Sequence, residues 1–351
     1  MSTPRILFIC KNRDTIYGSP VCDSYTHYAS SLSSGLLNSV YFVVKMLIAK
    51  GIDAKLVDVV DNNGIDKEVS MYKPTHVIIE ALWVVPTKFD ILTKLHPTVQ
   101  WIVRLHSEVP FIACEGIAMD WIFESDKVPN VSIAANSKRI ARDLSGLLSK
   151  PIIYLPNYYD VSNVVTNHNV KIEKCSEFLD IGCFGAIRQL KNQLIQAVAA
   201  MNFGNKIGKK IRFHINGNRV EGNADPVLKN IIKIFEKNTQ GHQLISHDWM
   251  PHEDFTGVIG QMDILMQVSF SETYNIVTAD AIAQNVPVVT SKEIQFVNRI
   301  FQAECTDVHS IVGALYRAYL LSKFDLHQVN RIMLSRNSDD AANVWLDTFK
   351  K

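Results

Sequence analysis

Short apolar, β-branched runs recur along the whole chain, and most are followed by a turn and then by residues with helical spacing. Residues 5–10, 54–60, 76–80, 99–104, 131–135 and 152–155 form one series, and residues 178–184, 211–215, 263–268 and 286–290 form a second. Residues 5–10 in particular read as a parallel strand buried on both faces. Helical stretches between the runs supply the covering layers. Gly35 opens one such stretch, Val40, Val43, Val44, Leu47 and Ile48 line its apolar face, and Gly51 ends it. The alternation predicts an α/β protein with doubly wound parallel sheets. A chain of 351 residues exceeds one ordinary core. Two consecutive Rossmann-like domains are therefore expected, at 1–157 and 158–335. An amphipathic helix with Trp345 and Phe349 follows, and residues 336–351 are expected to pack back on the first domain.

Composition narrows the class. The chain is 47% hydrophobic and 20% charged, as globular proteins are. Its net charge of +1 means that binding of a polyanion must rest on local patches. None of the six cysteines falls in a CxxC pair or a zinc-like spacing. The start of the chain lacks a signal-peptide core, and no apolar stretch reaches the length of a membrane span. A soluble, cytoplasmic protein with no membrane span and no metal site is expected.

The most informative stretch runs from Ser269 through Glu272, Tyr274, Asn275, Ile276 and Val277 to Asp280. It follows an expected strand and opens an expected helix. Backbone N–H groups at such a helix start, with the positive end of the helix dipole, suit a diphosphate. Glu272 and Asp280 can accept hydrogen bonds from a hydroxyl-rich ligand. A second group, Gly185, Arg188 and Lys191, follows the first strand of the second series. Gly185 permits close backbone approach, and the two cations suit a leaving diphosphate. The plain alternative is a surface Arg/Lys pair. A third group, His106 and Glu108, follows the strand at 99–104, with His106 as a candidate catalytic residue and Glu108 as an acceptor contact. Asn216, Trp249 and Met250 also lie just after strands or in loops. For Trp249, a core role competes with ligand contact. No DxD motif sits on a loop after a strand, which argues against metal-dependent transfer.

The stretch from Ser269 to Pro287-Val288-Val289 resembles the signature of family 4 retaining glycosyltransferases, which have the GT-B fold: two Rossmann-like domains facing a central cleft. Asn275 stands where that pattern has Gly, and Asp280 stands where it has Glu. The resemblance implies that Glu272 holds the hydroxyls of the donor sugar and Asp280 those of the ribose. It implies that amides around Asn275, Ile276 and Val277 hold the diphosphate, with Arg188, Lys191 and His106 beside it. Asn216, Trp249 and Met250 then flank the nucleotide base, and Gly185, Ser269 and Tyr274 complete the donor site. No cofactor is implied beyond the co-substrate, a nucleotide sugar, expected to be UDP-linked. Retention of anomeric configuration by front-side transfer is expected, because no nucleophile stands out.

The acceptor is less marked. The long segment 11–34 carries Lys11, Arg13, Tyr17, Tyr25 and Tyr28 ahead of Gly35, a mixture that suits nucleic-acid phosphates and bases. Ordinary loop tyrosines are the competing reading. The phrases Ser34-Gly35, Ile79-Glu80-Ala81-Leu82-Trp83, Arg104-Leu105-His106-Ser107 and Phe184-Gly185-Ala186-Ile187-Arg188 resemble glycosyltransferases of T-even-like tailed phages. That resemblance implies a hydroxyl acceptor on 5-hydroxymethylcytosine in double-stranded DNA, with Lys138, Arg139 and Arg142 on the backbone. A saccharide or lipid-linked acceptor and a non-catalytic nucleotide-sugar binder are the alternatives.

Overall fold

The computed structural model describes residues 4–12, 35–162 and 171–350. Two units divide the chain. In described residues, one comprises 4–12, 35–159 and 337–350, and the other 160–162 and 171–336.

The first unit is a six-stranded sheet in the order β2-β1-β3-β4-β5-β6, every pairing parallel. Its strands are β1 (Arg5–Lys11), β2 (Asp53–Val59), β3 (His76–Glu80), β4 (Gln100–Leu105), β5 (Val131–Ala135) and β6 (Ile153–Tyr154). The intervening helices are α1 (Gly35–Ala49), α2 (Gly64–Tyr72), α3 (Pro86–Leu95), α4 (Val109–Ile112), α5 (Ala118–Lys127) and α6 (Lys138–Ser145). Ile6, Leu7, Phe8 and Ile9 are all buried, as expected for a strand covered on both faces. Gly51 has φ of 81°, so the end of α1 uses the left-handed region that glycine enters without strain.

The second unit is another six-stranded parallel sheet, ordered β12-β11-β10-β7-β8-β9. It comprises β7 (Phe178–Gly182), α7 (Gln193–Ile207), β8 (Lys210–Ile215), α8 (Asp225–Lys237), β9 (Gln243–Ser246) and α9 (His252–Ile259). Then come β10 (Ile264–Gln267), α10 (Ile276–Ala283), β11 (Val288–Ser291), β12 (Gln302–Ala303) and α11 (Val308–Ser322). The chain winds outward from β7 through β8 to β9, then returns to β10 on the other side of β7. That reversal opens a crevice at the carboxyl ends of β7 and β10, where open α/β sheets bind ligands.

The doubly wound expectation holds in both units, with local corrections. The short strands β9 and β12 carry too few apolar residues to stand out in sequence. The last helix, α12 (Val329–Phe349), begins seven residues before the segment expected at 336–351. Its early residues contribute Leu334 to the second unit. Its later ones bury Trp345, whose Nε1–H donates to the Pro156 carbonyl at 2.8 Å and whose ring lies 5.7 Å from that of Phe8. Stacking on Phe349 extends this aromatic contact, and Phe349 meets His76 edge-on. Trp345→Ala is expected to cost about 3–5 kcal/mol, through lost contacts and a cavity. Trp345→Phe should cost clearly less. Equilibrium urea unfolding checks both.

Candidate functional site

Two loops meet across the crevice of the second sheet. The loop after β7 carries Gly185 at φ 106°, a conformation that strains any side chain. Its backbone N–H donates to Asn216 Oδ1 at 2.9 Å, which fixes the loop to the end of β8. A 3-10 turn, Gln189–Lys191, leads to Asn192 in the left-handed region. Asn192 tolerates this because its amide is well used: Nδ2 donates to the carbonyls of Val268 at 2.9 Å and Cys305 at 2.7 Å. From the opposite loop, the Phe270 N–H donates to the Leu190 carbonyl at 2.9 Å. The ends of β7 and β10 are thus stitched together by backbone and amide bonds.

On this frame Lys191 Nζ reaches Glu272 Oε1 at 2.5 Å. Asn275 Nδ2 donates to the same oxygen at 3.0 Å and to Gln267 Oε1 at 2.9 Å. Asn275 also caps α10, its Oδ1 accepting from the Thr278 N–H at 2.9 Å. At φ −115° and ψ 102° Asn275 is extended, so the left-handed tolerance of Asn is not what the position uses. An Asn there both starts the helix and steers Glu272. By helix geometry the Ile276 and Val277 amides have no acceptor within α10, whereas that of Thr278 is taken by the cap. Ser269 is fully buried beside this loop, and among the described residues its hydroxyl has no hydrogen-bond partner. Tyr274 packs its ring 4.8 Å from Phe296. Asp280 lies little more than one turn into α10, paired with His252 Nε2 at 2.9 Å.

Arg188 does not join Lys191. Its Nε donates to Glu221 Oε2 at 2.7 Å, and Glu221 also accepts from Arg219 Nε at 2.6 Å. Arg219 in turn sits 4.2 Å from the centroid of the Trp249 ring. Trp249 and Met250 are half-buried, which corrects the core reading of Trp249. Within these linked side chains, two arginines share the one carboxylate of Glu221. A separate chain of contacts runs from buried Asp180 Oδ1 to buried His214 Nε2 at 3.0 Å, then from His214 Nδ1 to half-buried His247 Nε2 at 2.8 Å. Burial, reinforced by His214, lowers the pKa of His247 to about 4, so it is neutral at pH 7.

In the first unit, His106 belongs to a charge network at the carboxyl ends of β3 to β6. Arg104 is fully buried and pairs with both oxygens of buried Glu80, at 3.2 and 3.0 Å. Its Nε donates to the Leu155 carbonyl, its Nη2 to Asn157 Oδ1 at 2.5 Å, and its guanidinium lies 5.3 Å from the Trp345 ring. His106 Nε2 bonds Glu80 Oε2, and Nδ1 lies 3.3 Å from Asn136 Nδ2. Burial and then Arg104 lower the pKa of His106, against the opposing pull of Glu80. The imidazole is therefore neutral, donating from Nε2 and accepting at Nδ1. Burial raises the pKa of Glu80, but Arg104 and His106 outweigh it and hold it below the usual carboxylate range.

The expected acceptor contacts fall in different surroundings. Glu108 is buried, accepting from Ser137 Oγ at 2.5 Å and pairing with Arg139 Nε at 3.0 Å, so it braces the cap of α6. Arg142 pairs with the neighbouring Asp143, and Lys138 lies over Tyr154. Lys11 ends β1 on the surface, and Gly35 begins α1. Arg13, Tyr17, Tyr25 and Tyr28 lie outside the described residues. No group of acidic, His and Cys side chains among the described residues could hold a metal ion.

No family model matches the sequence, and no curated protein does. Solved structures match across the whole chain. The N-terminal domain of Candida albicans trehalose-6-phosphate phosphatase superposes with a TM-score of 0.68 at 11% identity, covering 99% of this chain and 97% of that one. Sucrose-phosphate synthase from Thermosynechococcus elongatus gives 0.67 at 12%, covering 99% and 98%. An Escherichia coli trehalose-6-phosphate structure bound with UDP-2-fluoro glucose gives 0.65 at 11%, covering 98% of each. The two parallel six-stranded sheets with flanking helices match the GT-B fold of glycosyltransferases.

Glu80 supplies a pH-dependent contribution to stability. Its native pKa lies below its unfolded value of about 4.3. The contribution is whole above that value and is lost as pH falls through the native one. Glu80→Gln, which leaves Arg104 buried beside a neutral partner, should cost about 3–5 kcal/mol at pH 7. The cost should shrink toward pH 3, as urea unfolding at the two pH values can measure.

Proposed function

We propose that the chain is a metal-independent glycosyltransferase that takes a sugar from a nucleotide-sugar donor. The observation that carries the reading is the contact of Lys191 and Asn275 with Glu272 at the switch point of the second sheet, one step before the amides of Ile276 and Val277. A diphosphate placed there meets helix amides and a lysine, the groups that stabilise charge as a sugar departs. Glu272 is then held to accept hydrogen bonds from the sugar hydroxyls. UDP is the proposed nucleotide. A similar solved structure carries UDP-2-fluoro glucose, and another is described in terms of glycosyl transfer with retention. On that basis we assign transfer with retention, with the leaving phosphate taking the acceptor's proton.

For the acceptor we propose the hydroxymethyl group of 5-hydroxymethylcytosine in DNA. The support is the phage-enzyme resemblance of the phrases around Glu80, Arg104 to His106, and Gly185 to Arg188. Of the three cations proposed to hold the DNA backbone, Arg139 and Arg142 already pair with carboxylates, so the electrostatic grip on DNA must be modest. Radiolabelled UDP-sugars offered with hydroxymethylated DNA, unmodified DNA and saccharides test the assignment. Transfer to hydroxymethylated DNA alone supports it. Transfer to a saccharide alone replaces the acceptor. Donor binding without transfer to any acceptor contradicts an enzyme. Glu272→Ala should lower kcat/KM about 100-fold or more, the scale of losing a positioned polar group in a transition state.

A further inference from the structure

We propose that the outward row of α11 docks the protein on the surface of an anionic phospholipid bilayer. The proposal goes beyond the donor and acceptor assignments and does not depend on them. One side of α11 covers the second sheet, with Ile311, Ala314, Leu315 and Ala318 buried. On the other side the exposed residues Tyr316, Leu320 and Phe324 recur every four positions, about 6 Å apart along the axis. The N–H groups of Lys323 and Phe324 donate to the Leu320 and Leu321 carbonyls at 3.3 and 3.2 Å, which carries the helical path past Ser322 to Phe324. Among the described residues Phe324 is the most exposed large apolar side chain, at 73%, and Leu326 two positions on is 56% exposed. Apolar side chains grouped in this way mark an interaction surface.

Cations border the row on both flanks. From α7, Lys206 Nζ lies 5.4 Å from the centroid of the Tyr316 ring, and Lys323 Nζ lies 4.4 Å from that of Tyr319. On the other flank Arg317 Nε donates to the Ile300 carbonyl at 2.8 Å, which brings the exposed residues Arg299 and Ile300 beside α11. Among the described residues no ion pair takes any of these four cations, and the acid that follows Phe324 is Asp325. The rim is therefore positive, and its charge decides the occupant. A second copy seated on the row would set these cations against themselves. Duplex DNA would meet the cations and leave Leu320 and Phe324 in water. An anionic bilayer satisfies both sets. The cations stay with the headgroup phosphates, and Leu320, Phe324 and Leu326 enter the boundary between headgroups and acyl chains.

Sedimentation of the full chain with vesicles tests the assignment, using phosphatidylcholine alone and phosphatidylcholine mixed with phosphatidylglycerol. Binding to the mixed vesicles should exceed binding to phosphatidylcholine at least about 10-fold. Phe324→Ser should weaken it at least about 10-fold, the scale of burying one aromatic side chain. Lys323→Gln should weaken it about 5-fold, the worth of one cation near an anionic surface. Leu95→Ser, at an exposed apolar position of α3 in the first unit, should leave it unchanged. Thermal unfolding shows whether each variant is folded, and Leu326→Ser replaces Phe324→Ser if the latter is not. A wild type that does not sediment with the mixed vesicles overturns the proposal. Binding that the folded α11 variants leave unchanged, or that Leu95→Ser weakens equally, also overturns it. Without vesicle binding, self-association lost in Phe324→Ser would give the row to a second copy, and DNA retention lost in Lys323→Gln would give its rim to nucleic acid. Either result overturns the lipid assignment and leaves the nucleotide-sugar reading standing.

Discussion

The contact between Lys191 and Glu272 joins residues 81 positions apart because of one topological fact: β10 returns to lie beside β7. Neither loop could form this contact if the chain continued outward past β9. The reversal separates the two connections at the carboxyl end of the sheet, and the gap between them is where backbone groups point without ladder partners. Asn192 and the Phe270 amide close part of that gap with hydrogen bonds, and Lys191, Glu272 and Asn275 occupy what remains. A buried Gln267 underpins the arrangement, bonding Asn275 on one side and the Phe184 carbonyl on the other at 2.9 Å. Gln267, Asn192 and Asn275 are thus held by their neighbours, so Lys191 and Glu272 start from fixed positions.

The first unit solves a different problem. A guanidinium and a carboxylate sit fully buried at the ends of adjacent strands, which is costly unless nearly every donor and acceptor is matched. Arg104 achieves this with Glu80, Leu155, Asn157 and the face of Trp345. The last of these comes from α12, so the C-terminal segment completes a cluster built by β3 and β4. His106 is oriented by that cluster through Glu80 and Asn136. Its neutral state follows from burial next to a cation.

Much of this could be seen in the sequence, and the part that could not has a consistent cause. The strand at residues 6–10 was legible because burial on both faces demands an uninterrupted apolar run. The Glu272-to-Asp280 spacing was legible because a strand-to-helix junction constrains nearby residues. Partners brought together only by tertiary folding left no local trace. Glu221 taking Arg188, His252 taking Asp280 and Ser137 taking Glu108 are pairs of that kind. One missed signal was present. Glu80 directly follows the apolar residues Val77, Ile78 and Ile79 of its strand, and a carboxylate in such a place needs a buried cation. The start of α12 also left a trace that went unread, because Val329, Ile332 and Met333 fall at helical spacing ahead of a polar run from Ser335 to Asp340.

Hydrogen exchange with and without UDP tests the central claim most directly, because it reads the amides themselves. Slowed exchange in peptides covering 185–192 and 269–278 is the result required by a nucleoside diphosphate held at the switch point. Protection confined to the first unit, or none at saturating ligand, would contradict it.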